Sequence, residues 1–203
     1  DINHINTGGI SSSRPQFDRF YGIDSLLLNQ TEVEQRQPEV FESNAFESND
    51  IKRFTKAHDA YRLIKKDAPL LGNPSYQAAI YLVRNPLDTV PSYANHWSST
   101  DLDMIISKMA NEQEIAHQSQ SQLLQYVSSW SQHVDSWLEQ ADMPIFLMRY
   151  EDMVTDTFNT FKNALEFSGV ECTDEAIQLA IEQSSFDKLK AAEKKDGFRE
   201  SPR

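Results

Sequence analysis

The chain has 203 residues, of which 39% are hydrophobic and 10% aromatic, and this composition argues against a wholly disordered protein. Its 31 acidic and 19 basic residues give a net charge of −12, which argues against a general binder of nucleic acids or anionic membranes but allows one local anion site. The single cysteine, Cys172, excludes an intrachain disulfide and a zinc cluster built on cysteines.

The sequence shows neither a membrane-spanning pattern nor a metal-binding one. No apolar run reaches the length of a membrane span, and no basic segment precedes an apolar one at the start of the chain. The five histidines lack the HExxH spacing or any comparable ligand spacing. We therefore expect a cytoplasmic protein without a metal ion, a nucleic-acid partner or a membrane partner.

The first part of the chain predicts a loop, a helix and a strand. Residues 1–18 are polar, with two adjacent glycines and three adjacent serines, and are predicted to form a loop. Thr31 and Glu34 fit a capping box, which predicts a helix that extends to about residue 47. A short strand is predicted over residues 51–56.

The clearest strand lies at residues 78–83. This continuous apolar run is rich in β-branched and aromatic side chains, as is typical of a strand covered on both faces. Pro86 suits the first position of a helix, which we expect to reach about Trp97 with a kink at Pro91. A second short helix is predicted over residues 102–109.

The pattern of strand and helix continues through the rest of the chain. Apolar side chains recur every three or four positions over residues 121–140, which predicts a long amphipathic helix. An apolar strand over residues 144–148 passes directly into a helix that begins near Tyr150 and ends at Gly169. Two more helices are predicted, over residues 174–183 and 186–194.

Short apolar strands that alternate with helices predict an α/β fold, in which helices flank a parallel sheet. The length fits a single domain over residues 1–203.

Three of the predicted strands are followed by polar side chains. Lys56 ends the first strand and His58 lies just after it, Arg84 follows the second, and Tyr150 follows the third. Ligands of open parallel sheets bind at the carboxyl ends of the strands, where the following helices offer free N–H groups and partial positive charge. Because two of the three strand ends carry cations, the pattern predicts an anion site.

The segment around the second strand resembles a known nucleotide site. Residues 79–93, AIYLVRNPLDTVPSY, closely resemble the 3′-phosphate-binding segment of sulfotransferases that use 3′-phosphoadenylyl sulfate (PAPS). That family has Arg-Asn-Pro-x-Asp after a strand and a serine eight residues after the arginine, and Arg84 and Ser92 keep this spacing. Four further blocks match the family in order: Lys-x-His at 56–58, Trp-x-x-His-Val-x-x-Trp at 130–137, Tyr-Glu-Asp-Met at 150–153 and Ser-Ser-Phe at 184–186.

The resemblance implies a role for each matching residue on the donor side of the reaction. Arg84 and Ser92 would hold the 3′-phosphate, for which a guanidinium fork and a hydroxyl are suitable partners. Ser184 and Phe186 would line the adenine pocket, and Tyr150 would hydrogen-bond on the adenine side.

The resemblance also implies the reaction. Such enzymes transfer the sulfuryl group of PAPS to a hydroxyl or amine of a small-molecule acceptor and leave adenosine 3′,5′-bisphosphate (PAP), without a metal ion. His58 would be the general base that takes the acceptor's proton, and Lys56 would stabilise charge on the sulfuryl group during transfer. The transfer would be in-line and would depend mostly on positioning and charge stabilisation.

Two segments of the family pattern have no match in this sequence. The loop Tyr-Pro-Lys-Ser-Gly-x-Thr-Trp, which cradles the 5′-phosphosulfate, has no counterpart in residues 1–50, and the C-terminal Arg-Lys-Gly-x-x-Gly-x-Trp segment is absent. The sequence is therefore interpreted as a P-loop NTPase-like sulfotransferase domain that is incomplete at both ends, a fragment of a longer chain. We expect such a fragment to be marginally stable or aggregation-prone and to have little or no transferase activity alone.

Several of these residues also have a purely structural interpretation. Arg84 could pair with Asp88 four positions on, and Tyr150 with the two acidic residues after it could simply begin a helix. Ser184 could cap a helix, and Phe186 could belong to the core.

The helical spacing of Trp130, Val134 and Trp137 is typical of core positions, and His133 is expected at the surface or its boundary. The alternative function is a non-catalytic nucleotide-binding or interaction module that keeps the 3′-phosphate site. A P-loop kinase is disfavoured because the sequence has no GxxxxGK[ST] motif.

Overall fold

The structure is a computed structural model and describes residues 5–46, 52–64, 68–116 and 120–196. The strands in these ranges are β1 (Ile5–Ile10), β2 (Lys52–Lys56), β3 (Ala79–Val83), β4 (Ile115–Ala116), β5 (Gln125–Tyr126) and β6 (Ile145–Arg149). The helices are α1 (Arg14–Tyr21), α2 (Gln30–Phe46), α3 (Pro86–His96), α4 (Leu102–Met109), α5 (Trp130–Leu138), α6 (Tyr150–Thr155), α7 (Thr157–Phe167), α8 (Asp174–Gln183) and α9 (Phe186–Asp196). Short 3-10 turns lie at Ser25–Leu27 and Pro74–Tyr76.

The chain divides into two compact units. Unit 1 comprises Asp1–Ala79 and Ser107–Ile145, and unit 2 comprises Ile80–Ile106 and Phe146–Arg203. The fold class is α/β with parallel pairing and flanking helices, as the sequence predicted. The assignment of residues 1–203 to one domain stays a prediction. In the described part of the chain, no helix is both long enough and apolar enough to span a membrane.

Unit 1 begins with a parallel pair of strands, of which β2 confirms the strand predicted over residues 51–56 and β1 lies where the sequence predicted a loop. In β1 and β2, Ile5 lies opposite Lys52, and the register shifts before Ile10 pairs with Lys56. Gly9 lies in this shift with a φ of +81°, which a glycine adopts without a clash at Cβ. The loop prediction is wrong where β1 forms and over residues 14–18, which begin α1, while residues 1–4 lie outside the described residues. The strand was missed because its pairing partner is remote in sequence.

Helices α1 and α2 connect β1 to β2 and supply the core of unit 1. The buried side chains of this core, against which Tyr21 and Leu28 also pack, are those of Phe17, Val33, Val40 and Leu123. These residues come from three separate segments, so the packing of apolar side chains ties the two helices to the chain that precedes α5.

Helix α2 starts close to the predicted position but uses a different cap. Glu32 N–H donates to Asn29 Oδ1 at 3.0 Å, and Asn29 N–H donates to Glu32 Oε2 at 2.9 Å, which makes the reciprocal capping box. The Thr31–Glu34 box is therefore wrong by two residues. Glu34 is used instead in an ion pair with Arg62, at 2.8 Å between Oε1 and Nη2.

The predicted helix over residues 121–140 is wrong in its first half. Leu123 is only 1% exposed in the core of unit 1, and the chain continues into β5, which is antiparallel to β4. Ser128 has a φ of +64°, and Ser129 then caps α5 by accepting from Gln132 N–H at 3.3 Å. The apolar residues before α5 thus pack against segments that are remote in sequence, and their helix-like spacing is a coincidence.

Unit 2 contains most of β3 and β6, which are hydrogen-bonded neighbours. The position of β3 and the start of α3 at Pro86 confirm the strand and the helix that the sequence predicted there. Asn85 caps α3 by accepting from Leu87 N–H at 2.9 Å. The expectation that β3 is covered on both faces is wrong, since Leu82 is 62% exposed. Within the described residues β3 has one neighbouring strand, so it lacks the cover of a central strand.

The C-terminal helices confirm the predicted positions with one correction. The helix predicted from Tyr150 to Gly169 is divided into α6 and α7 at Asp156, which has non-helical angles and caps α7 by accepting from Asn159 N–H at 3.3 Å. An ion pair between Lys162 Nζ and Asp174 Oδ1, at 2.7 Å, joins α7 to the start of α8.

Candidate functional site

The ends of β3 and β6 bring two of the predicted nucleotide-binding residues together. Arg84 directly follows β3, and Tyr150 directly follows β6 as the first residue of α6. The guanidinium of Arg84 lies over the Tyr150 ring, with Cζ 4.3 Å from the ring centroid. A cation–π contact of this kind stabilises a planar guanidinium in one orientation.

One donor of the Arg84 guanidinium is left without a partner by the described residues. Its Nε is buried and has no hydrogen-bond partner among the residues that the structure describes. The ion pair with Asp88 that the sequence allows is not formed there, and Asp88 is exposed. Because an unpaired buried donor costs about 1–3 kcal/mol, this position favours an external acceptor such as a phosphate oxygen.

Asn85 and Glu151 connect the two strand ends. Asn85 N–H donates to Glu151 Oε1 at 3.1 Å. Hydrogen bonds from the backbone N–H groups of Glu151 and Asn85, with Arg149 and Arg84 nearby, hold the pKa of the Glu151 carboxyl below its usual value. The sequence indicated Glu151 only as part of a helix start. That helix start is confirmed, and it coexists with the contact between Tyr150 and Arg84.

The other donor-side candidates lie in unit 2, and no hydrogen bond joins them to Arg84 within the described ranges. Ser92 is exposed on α3, and Ser184 is the C-cap of α8, so its structural interpretation as a cap is confirmed. Phe186 is 75% exposed at the start of α9, with Lys190 Nζ 5.5 Å from its ring centroid. The interpretation of Phe186 as core is therefore wrong.

The two candidate catalytic residues lie in unit 1, at the carboxyl end of β2. Lys56 is the last residue of the strand, and its carbonyl accepts from Ser11 N–H at 2.8 Å. His58 follows two positions later, and both side chains are exposed. A base and a cation that face solvent at a strand end are accessible to a substrate, as general acid–base chemistry requires.

The chain directly after His58 is held by β5. Asp59 is 1% exposed, and its Oδ1 accepts from Tyr126 N–H at 2.9 Å. Ala60 N–H donates to Tyr126 O at 2.8 Å. Burial raises the pKa of Asp59 to about 6, although the Tyr126 hydrogen bond and the charge of Arg62 act in the opposite direction.

Helix α5 also contacts the segment that follows His58. It does so through residues for which the sequence indicated no function. His133 Nε2 lies 3.2 Å from the carbonyl oxygen of His58, and Trp137 Nε1–H donates to the carbonyl oxygen of Asp59 at 3.1 Å. Ser136 Oγ accepts from the N–H of residue 61 at 3.0 Å. Trp137 is buried and His133 half-buried, as expected. In the sequence, only the Trp-x-x-His-Val-x-x-Trp block pointed to these residues, and it did not indicate their contacts with the main chain.

The described structure contains a surface depression elsewhere, but it suits an anion less well than the Arg84 region does. The depression between α7 and α8 is lined by the carboxylates of Asp174, Glu175 and Glu182, which would repel a phosphate. Among the residues that the structure describes, no group of three or more histidine, cysteine, aspartate or glutamate side chains could hold a metal ion. The phosphate-binding candidate is therefore the Arg84 region.

The known proteins that this chain resembles are sulfotransferases. The sulfotransferase domain family matches residues 22–198. Sulfotransferase 2A6 of Rattus norvegicus is 32% identical over 114 residues, which are 55% of this chain and 38% of the rat protein. Sulfotransferase 4A1 of Mus musculus is 30% identical over 131 residues, 64% of this chain and 43% of the mouse protein. The chain thus spans about two fifths of the length of these relatives.

A solved structure shows the same fold. The crystal structure of mouse sulfotransferase SULT7A1 complexed with PAP matches with a TM-score of 0.54 and 21% sequence identity. The match covers 75% of this chain and 52% of the mouse chain. At this identity the likeness concerns the fold alone, and it supports the α/β architecture that the sequence resemblance implies.

Proposed function

This chain belongs to the sulfotransferase domain family, and we propose that it takes part in sulfuryl transfer from PAPS to a hydroxyl or amine of a small-molecule acceptor. The observation that carries the proposal is the guanidinium of Arg84, which lies over Tyr150 and whose buried Nε has no hydrogen-bond partner in the described part of the chain. A cation fixed at the end of a strand and next to the start of a helix suits a phosphate group.

The residues of unit 2 fit the donor nucleotide. Arg84 and Ser92 would hold the 3′-phosphate, the first through charge and the second through a neutral hydroxyl donor. Ser184 and the exposed ring of Phe186 would hold the adenine, with Tyr150 on the same side. When bound, PAPS supplies the sulfuryl group that is transferred.

The residues of unit 1 fit the acceptor chemistry. His58 would accept the proton of the acceptor's hydroxyl or amine as that group forms a bond to sulfur. The bond between the sulfur and the bridging oxygen of the 5′-phosphate would break at the same time, and PAP would leave with that oxygen. The ammonium of Lys56 would offset negative charge on the sulfuryl oxygens. No metal ion is part of this proposal, because the cationic side chains of Lys56 and Arg84 would supply the positive charge.

The direct test of the nucleotide site is a calorimetric titration with PAP and with AMP, which lacks the 3′-phosphate. We expect PAP to bind more tightly, and Arg84→Gln to reduce this preference by about tenfold or more, since hydrogen bonds to charged groups are worth about 1.5–3 kcal/mol. Arg19→Gln, which removes an exposed charge of unit 1, is the matched control and should leave the preference intact. Equal binding of PAP and AMP to the unaltered chain would contradict the proposal.

The proposed base is tested by His58→Ala. This change should leave the affinity for PAP within about twofold of the unaltered chain, because the assigned phosphate contacts belong to other residues. Since this chain alone is expected to have little or no activity, transfer is measured in a chain extended by the family's 5′-phosphosulfate loop and C-terminal segment, in which His58→Ala should abolish transfer from PAPS to a phenol acceptor. The alternative, a non-catalytic nucleotide-binding module, predicts PAP binding without transfer in either protein.

A further inference from the structure

We propose that α5 is a positioning element for the backbone of residues 58–61, and that it fixes His58 for proton transfer. The inference rests on the proposed role of His58 as general base. It assigns a function to the Trp-x-x-His-Val-x-x-Trp block, which the proposed reaction leaves unused.

The polar contacts come from one face of the helix. Residues 133, 136 and 137 are separated by three and four positions, the spacing that places side chains side by side on a helix. They bind three main-chain groups of one short segment: the carbonyl oxygen of His58 at 3.2 Å, the N–H of Tyr61 at 3.0 Å and the carbonyl oxygen of Asp59 at 3.1 Å.

The contact from His133 reaches the candidate base itself. A carbonyl oxygen only accepts hydrogen bonds, so Nε2 of His133 must carry the proton and act as donor. Burial lowers the pKa of His133, although the bond to His58 opposes this. A neutral ring makes this contact only as the tautomer with hydrogen on Nε2.

The second donor is held in place by packing. Trp137 is 6% exposed, and its ring makes an edge-to-face contact with Tyr61 at 5.5 Å between centroids. Its indole N–H therefore remains directed at the carbonyl of Asp59. A buried indole N–H needs an acceptor, and here that acceptor is the main chain of the segment that carries His58.

The segment is bound from its other side by β5. Tyr126 binds Asp59 and Ala60 through its main chain, at 2.9 and 2.8 Å. The main chain of residues 58–61 is thus fixed between two elements of unit 1, while the side chain of His58 remains exposed. A fixed backbone sets the position from which the accessible His58 side chain reaches a substrate, which favours a productive geometry for proton transfer.

Conservative variants separate positioning from packing. Trp137→Phe removes the indole donor but keeps an aromatic ring, and Trp130→Phe on the same helix is its matched control, since Trp130 makes no hydrogen bond to residues 58–61 within the described structure. His133→Leu removes the second donor, and His133→Gln restores an N–H of similar reach. Each variant is compared with the unaltered chain by nuclear magnetic resonance and by calorimetry with PAP. Transfer from PAPS to a phenol is measured with the same variants in the extended chain that is used to test His58→Ala.

We expect Trp137→Phe and His133→Leu to speed hydrogen exchange of the Ala60 and Tyr61 amides by about fivefold to tenfold, the effect of one lost hydrogen bond. The ring signal of His58 should move, and kcat should fall with unchanged PAP affinity and acceptor KM. His133→Gln should restore both exchange and kcat, and Trp130→Phe should alter neither.

Two other results overturn the inference in distinguishable ways. If His58→Ala abolishes transfer but Trp137→Phe and His133→Leu match Trp130→Phe in exchange, ring signal and kcat, the positioning role is wrong and the general-base role stands. If His58→Ala retains full transfer, the general-base role is wrong, and the positioning role fails with it.

Discussion

A buried carboxyl group next to the candidate base makes the stability of unit 1 depend on pH. Burial raises the pKa of Asp59 from 3.8 to about 6 in the folded chain. A carboxyl with a higher pKa in the folded state binds its proton more tightly there than in the unfolded state. The folded state is therefore favoured at low pH, and this contribution is lost as the pH rises from about 4 to about 6.

The change Asp59→Asn tests this dependence. Asparagine keeps an oxygen that can accept from Tyr126 N–H but cannot ionise, so the free energy of unfolding of the variant, relative to the unaltered chain, should increase between pH 4 and pH 7. The increase should be at most about 3 kcal/mol, from a pKa difference of about two. Urea unfolding at several pH values measures it, with Asp135→Asn, an exposed carboxyl of α5, as the control. A relative stability that is flat or falls with pH would contradict the burial argument.

Helix caps stabilise the elements that carry the candidate site. Ser129 caps α5 by accepting from Gln132 N–H, and Thr173 caps α8 in the same way by accepting from Ala176 N–H at 3.2 Å. Changing either to alanine should cost about 1 kcal/mol of stability in urea unfolding. Only Ser129→Ala should also speed hydrogen exchange at the Tyr61 amide, because α5 and not α8 binds that segment. Equal acceleration by Thr173→Ala would mean that the amide reports general instability.

Elements with strong local signals could be predicted, and elements specified by remote partners could not. β3 has a continuous apolar run, and α3 has a proline at its first position after a capping asparagine, so both were located within one residue. β1 depends on parallel pairing with β2, and residues 121–129 depend on burial of Leu123 in a core built largely by α1 and α2. Neither condition is visible in a local window of sequence.

For the molecule as a whole, the sequence located candidate residues but not the contacts that position them. Resemblance and strand ends indicated Arg84 and Tyr150, and the structure shows their contact. The bond from His133 to the His58 carbonyl joins positions 75 residues apart and uses a main-chain acceptor, so no side-chain pattern reveals it. The donor-side candidates belong to unit 2 and the acceptor-side candidates to unit 1, so the two sets can be tested separately.

The most direct test of the nucleotide site is the amide nuclear magnetic resonance spectrum of the chain during titration with PAP and, separately, with AMP. The proposed function predicts that PAP shifts the amide signals of Asn85, Ser92 and Tyr150, and that AMP shifts those of Asn85 and Ser92 much less, because only PAP carries the 3′-phosphate. Shifts confined to the α7–α8 depression, or identical shifts with both nucleotides, would contradict the assignment of the 3′-phosphate to Arg84.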